Sequence, residues 1–111
     1  NRVYDTVLEA QLVAIAQIHE GVSGNEADSL ARRVIDDAGF GRAFGHSLGH
    51  GVGLTVHEQP RLGPNMTDIL TSGMVFTVEP GVYLTGWGGV RIEDLVTLEN
   101  GKTRLLSRVR K

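Results

Sequence analysis

Val90-Arg91-Ile92-Glu93-Asp94-Leu95-Val96-Thr97-Leu98-Glu99-Asn100-Gly101-Lys102-Thr103-Arg104-Leu105-Leu106 reads as a strand, a tight turn and a returning strand. Val90 to Glu99 is rich in β-branched and apolar residues, Asn100-Gly101 is a strong hairpin signal, and Lys102 to Leu106 pairs back. Immediately upstream, Met74 to Tyr83 alternates as a further strand broken at Pro80-Gly81, and Thr85-Gly86-Trp87-Gly88-Gly89 supplies a turn. Gln59 to Ser72 carries Pro60, Gly63, Pro64, Asn65 and Asp68 and is expected to be a loop crossing the surface. The chain before residue 40 has a different period. Residues 3 to 19 read as a helix whose apolar positions spread over nearly every face, ended by Gly21. A second helix is expected to start at Asn25 as N-cap, with Asp28 completing a box-like start, and to run to Gly39. Ala27, Leu30, Ala31, Val34, Ile35 and Ala38 form its apolar stripe, and Asp28, Arg32, Arg33, Asp36 and Asp37 are read as its solvated face. Two helices followed by four to five strands predict an α+β fold, two helices packed on a mainly antiparallel sheet.

With 111 residues the chain can hold one small core. A net charge of −2 offers no basic surface, so nucleic acid is not an expected partner. Arg104, Arg108, Arg110 and Lys111 form the only basic concentration and are read as a frayed tail. Absence of cysteine removes disulfides and thiolate metal sites and suits a reducing compartment, so a cytoplasmic location is expected. No membrane partner is expected either, because the apolar run from Leu12 to Ile18 is far too short to span a bilayer. The chain opens directly on helical periodicity, and a piece of a larger protein is expected. A first helix apolar on most sides would have lost cover, so self-association is expected as well.

Three of the four histidines fall in Gly45-His46-Ser47-Leu48-Gly49-His50-Gly51-Val52-Gly53-Leu54-Thr55-Val56-His57-Glu58, read as a strand over residues 46 to 57. In an extended chain His46 and His50 project from one face, whereas His57 points the other way unless Gly51 and Gly53 bend the strand. Imidazole can ligate a metal or exchange a proton near neutral pH, so these side chains are candidates for either task. Glu79 closes an apolar strand, and Glu93 shares a face with Arg91 inside another. Buried carboxylates are costly unless paired or bound to a cation. One imidazole with several carboxylates makes an oxygen-rich site suited to Mn²⁺, Co²⁺ or Fe²⁺. A simple Glu93–Arg91 ion pair and an exposed Glu79 at a strand end are the plainer alternatives.

Three ordered motifs resemble the pita-bread metallopeptidases, within them the prolidase and aminopeptidase P branch: Gly45 to Pro60, Gly73-Met74-Val75-Phe76-Thr77-Val78-Glu79-Pro80-Gly81-Val82-Tyr83, and Gly88-Gly89-Val90-Arg91-Ile92-Glu93-Asp94. The resemblance covers residues 1 to about 107 and implies the C-terminal half of that fold's curved sheet. It implies hydrolysis of Xaa-Pro bonds using two divalent metal ions, Mn²⁺ or Co²⁺ first, Fe²⁺ or Zn²⁺ otherwise. On this basis His50, Glu79 and Glu93 are expected metal ligands, Glu93 bridging and Glu79 also moving a proton. His57 is expected beside the scissile carbonyl, His46 in the substrate pocket, and Arg91 in the network around Glu93. A proline-containing peptide is the expected substrate and a homo-oligomer the expected assembly. The family takes two further ligands from aspartates eleven residues apart, and no two aspartates here have that spacing. Residues 1–111 are therefore expected to be the C-terminal portion of the catalytic domain, inactive alone. A metal-free pita-bread binding module, a creatinase-like amidinohydrolase and a one-metal hydrolase are the competing expectations.

Overall fold

A computed structural model of the chain describes residues 2–52 and 60–110, the last four of these by their backbone only. Helix α1 spans Arg2–Gln17 and α2 spans Gly24–Asp37. Among the described residues a single 3₁₀ turn at Gly41–Ala43 is followed by six strands. These are β1 (Gly49–His50), β2 (Arg61–Leu62), β3 (Val75–Val78), β4 (Gly81–Leu84), β5 (Gly88–Glu99) and β6 (Lys102–Arg110). Every pairing between them is antiparallel, as the α+β expectation requires.

β5 is the axis of the sheet. Its residues Asp94 to Thr97 pair with β3 on one edge and with β6 on the other. β4 takes Gly88 to Arg91, in the register that β3 sets: Val78 faces Asp94 and Gly81 faces Arg91, so Glu79 and Pro80 lie opposite Glu93 and Ile92. The Ile92 amide donates to Pro80 O at 3.3 Å, which keeps the ladder closed across the gap. Residues 75–84 thus act as one strand with a missing rung, because proline has no N–H to give. The frayed-tail expectation for the basic residues is corrected here, since Arg104, Arg108 and Arg110 all lie in β6. Leu106 is an extra residue in that strand: Leu95 pairs with Ser107 but Val96 with Leu105.

Alternation in the long hairpin divides its faces. Ile92, Asp94, Val96 and Leu98 are buried, and with Phe76, Val78 and Val82 they meet the helices. α1 presents Val3, Val7, Ala10, Gln11 and Ala14 to this core. Gln11 Nε2 donates to Asp94 Oδ2, tying α1 to the middle of β5. The expectation that α1 needs cover on most sides is too strong. Leu8 and Ile15 are half-buried against the same core, and of the helix's large apolar side chains only Leu12, 53% exposed, faces fully outward.

α2 starts two residues earlier than expected. Ser23, not Asn25, is its N-cap: Glu26 N–H donates to Ser23 Oγ at 3.3 Å and Ser23 N–H donates back to Glu26 Oε1 at 3.0 Å. That reciprocal pair satisfies two amides that the first helical turn would otherwise leave without partners. The Ser23 amide holds the Glu26 carboxyl below its usual 4.5. A carboxyl depressed in the folded state stabilises above its unfolded value and loses that contribution as pH falls through its folded value. Glu26→Gln should therefore lower the thermal midpoint slightly at pH 7, and the difference from the parent should shrink to nothing as the solution is acidified below 4.5. Thermal melts across pH 3 to 7 check this; a gap that widens on acidification would contradict it.

Candidate active site

The face of the hairpin turned away from the helices carries Thr77, Glu79, Gly81, Arg91 and Glu93, all at odd positions of one continuous register. Glu79 and Glu93 face each other at a rung without a hydrogen bond between them, where side chains of an antiparallel pair come closest, with Cβ atoms about 4.5–5.5 Å apart. Two acids are thereby brought together by backbone pairing alone.

β1 lays the histidines along the free edge of β3. Gly51 bridges to Phe76, the Glu79 amide donates to Leu48 O at 2.7 Å, and the His50 amide donates to Thr77 Oγ1 at 3.1 Å. This close approach demands glycine at position 49, where a Cβ would stand 1.9 Å from Thr77 O. His50 consequently lies on the same face as Glu79, with Nε2 3.9 Å from Glu79 Oε2. Its ring is mostly exposed, and Glu79 is largely covered, at 62% and 15% of side-chain surface. Among the described residues of that stretch, regular strand is confined to Gly49–His50 with the Gly51 bridge, so residues 46 to 48 are not in the strand expected there. His57 and Glu58 lie outside the described residues.

β2 closes the other side. It pairs with β1, the Gly51 amide donates to Pro60 O at 2.6 Å, and Pro60, Arg61 and Met66 thereby flank the histidines. The stretch from Gln59 to Ser72 is therefore not only a surface loop. The result is an open cavity of about 590 Å³ that His46, His50, Glu79, Tyr83, Arg61 and Arg91 help to line.

His46 is half-buried between Phe44, centroid distance 5.0 Å, and Tyr83, 5.7 Å, both edge-on. Its Nδ1 meets Ser47 O at 2.7 Å, which leaves Nε2 as the free ring atom, buried and without a hydrogen-bond partner. Arg91 Nε is buried and unpartnered too, so the plainer expectation of a Glu93–Arg91 ion pair is not met among the described residues. Unsatisfied buried polar atoms are rare in folded proteins, and both of these belong to residues that line the cavity.

The donor chemistry fits divalent cations: one imidazole nitrogen and two carboxylates on one face of a sheet. His50 and Glu79 are already adjacent, and Glu93 is half-buried across the ladder from Glu79. No group of three or more His, Cys, Asp or Glu side chains is arranged to hold a metal ion among the described residues. Tyr83, Arg61, Met66 and Pro60 were not singled out from the sequence. Tyr83 could have been, since it stands four residues after Glu79 on the same strand face.

Residues 1–100 match metallopeptidase family M24. The chain belongs to that family. It is 47% identical over 104 residues to the Xaa-Pro dipeptidase of Pyrococcus horikoshii, covering 93% of this chain and 30% of the relative. The prolidase from Pyrococcus furiosus superimposes with a TM-score of 0.91 at 44% identity, over 98% of this chain and 32% of that one. Aminopeptidase P from E. coli, solved with the inhibitor Pro-Leu, gives a TM-score of 0.80 at 26% identity, over 99% and 32%. The M24 chain thus spans about 30% of the length of the curated relatives it matches. The pita-bread architecture expected from the motifs is the architecture these neighbours share with it.

Proposed function

We propose that residues 1–111 are the C-terminal portion of the catalytic domain of a peptidase that hydrolyses Xaa-Pro bonds with two divalent metal ions. The observation that carries this is the convergence of His50 and Glu79 in a cavity also lined by His46 and Arg91, with Glu93 directly opposite Glu79 across the ladder. The printed names of the relatives, Xaa-Pro dipeptidase and prolidase, support the substrate class. In this reading His50, Glu79 and Glu93 would hold the ions, Mn²⁺ or Co²⁺ before Fe²⁺ or Zn²⁺. The ions supply Lewis acidity, which makes water nucleophilic at neutral pH and polarises the scissile carbonyl. Glu79 takes the proton from the attacking water and delivers it to the departing proline nitrogen, which has no proton of its own in the peptide. His57 donates toward the oxygen on which charge develops. His46, with its free Nε2 buried at the wall, orients the substrate, and Arg91 steadies the carboxylates from the neighbouring rung of β5.

The same reading makes the intact protein a cytoplasmic homo-oligomer that binds neither nucleic acid nor membrane. Among the described residues no helix is long and apolar enough to cross a bilayer. In this reading an aspartate pair outside residues 1–111 would complete the ligand set. The 111-residue chain alone should therefore bind Mn²⁺ weakly and leave an Ala-Pro dipeptide uncut. A polypeptide that also carries the preceding half should cleave it, lose activity to a chelator and regain it with Mn²⁺ or Co²⁺. Robust cleavage by the chain alone would overturn the fragment reading, and no cleavage by the metal-loaded longer polypeptide would overturn the activity.

A further inference from the structure

The segment from Phe44 to Leu48, which carries His46 and leads into His50, belongs to no strand. Its backbone groups still need partners, because buried amides and carbonyls without them are costly. α2 provides them. Asp28, 2% exposed, accepts the Leu48 amide on Oδ1 at 3.0 Å and binds Arg32 through both oxygens at 2.7 and 3.1 Å. Arg32 donates onward, from Nη1 to Phe44 O at 2.8 Å and from Nη2 to His46 O at 2.9 Å. Its guanidinium also lies 4.0 Å above the Phe44 ring, which in turn meets the His46 imidazole edge-on. Leu48 passes the constraint along, since its carbonyl accepts the Glu79 amide.

We propose that Asp28 and Arg32 are positioning residues for the site, with separate duties: Arg32 sets the orientation of His46, and Asp28 sets the placement of β1 and with it His50 against Glu79. Three alternate points of a segment that lies outside the strands, at positions 44, 46 and 48, are held by this one ion pair. A guanidinium suits the task because its planar fork can hold a carboxylate and two carbonyls at once, which an ammonium cannot. The apolar pattern of α2 places both side chains on a wet helix face, and their spacing of four residues by itself suggests no more than a surface pair.

The inference rests on the metallopeptidase reading only for its effect on turnover, so the decisive measurement is made without substrate or metal. Imidazole resonances of the full 111-residue chain are recorded by NMR for the parent, Asp28→Asn and Arg32→Lys, with His19, outside this network, as internal reference. Arg32→Lys should shift His46 and leave His50, His19 and the protection of the Leu48 amide unchanged. Asp28→Asn should shift His50 as well and speed exchange of the Leu48 amide by about tenfold, the loss of a charged acceptor. If Asp28→Asn does not fold, Arg32→Lys decides alone. Imidazoles that stay put in a folded variant, or a His19 shift as large as that of His46, would overturn the proposal.

Discussion

Glu79→Gln should abolish peptide hydrolysis while leaving the fold untouched. The replacement keeps the shape of the side chain and its backbone bond to Leu48 O, but removes the charge beside His50 and opposite Glu93. In the proposed mechanism Glu79 both ligates and moves the proton, and loss of general acid–base catalysis alone lowers turnover by about 10²–10⁴-fold. With ligation lost too, kcat/KM on Ala-Pro should fall by at least about 10³-fold in the longer, metal-dependent polypeptide. Circular dichroism should be unchanged, and metal analysis should find fewer ions per chain than in the parent. A variant that keeps its metal content and activity within tenfold would remove Glu79 from both roles.

The second large effect concerns stability. Gly49→Ala should destabilise the chain by about 3 kcal/mol or more, at the upper end for overpacking a filled site. The added methyl would stand 1.9 Å from Thr77 O and 2.7 Å from its carbonyl carbon, and backbone cannot step aside as a flexible side chain could. β1 must then leave β3, and His50 leaves Glu79 with it. Gly45→Ala is the matched control four residues earlier: a Cβ there meets nothing within 4 Å, so the change should stay within about 0.5 kcal/mol. Urea titrations of the two variants should separate widely; equal midpoints would mean that the β1–β3 approach is looser than described.

What the sequence made legible was periodic. The β5–β6 hairpin followed from alternation and Asn100-Gly101, and Asn100 does adopt the positive φ of 54° such a turn uses. The break at Pro80-Gly81 was also readable, but not that register persists across it, because only pairing with β5 reveals that. Asp28 was misassigned for a physical reason. It precedes Ala31 and Ile35 by three and seven residues, hence lies on their buried side, while Leu30 and Val34 of the expected stripe are only half-buried. Hydrophobicity alone rotated the helix; the cost of burying Asp28 is offset by Arg32 and the Leu48 amide. Ser23 and Asn25 are both good caps, and only the Glu26 side chain decides between them.

The uninterrupted register of 75–84 against β5 separates two properties that evolution and engineering can vary independently. The distance between the two opposed acids is a backbone quantity, indifferent to how long the bend at Thr85-Gly86-Trp87 becomes. Lengthening that bend, where Trp87 already stands half in solvent, offers room for a graft or reporter. A single residue inserted between Glu79 and the bend, by contrast, would turn one acid inward and silence the cleft.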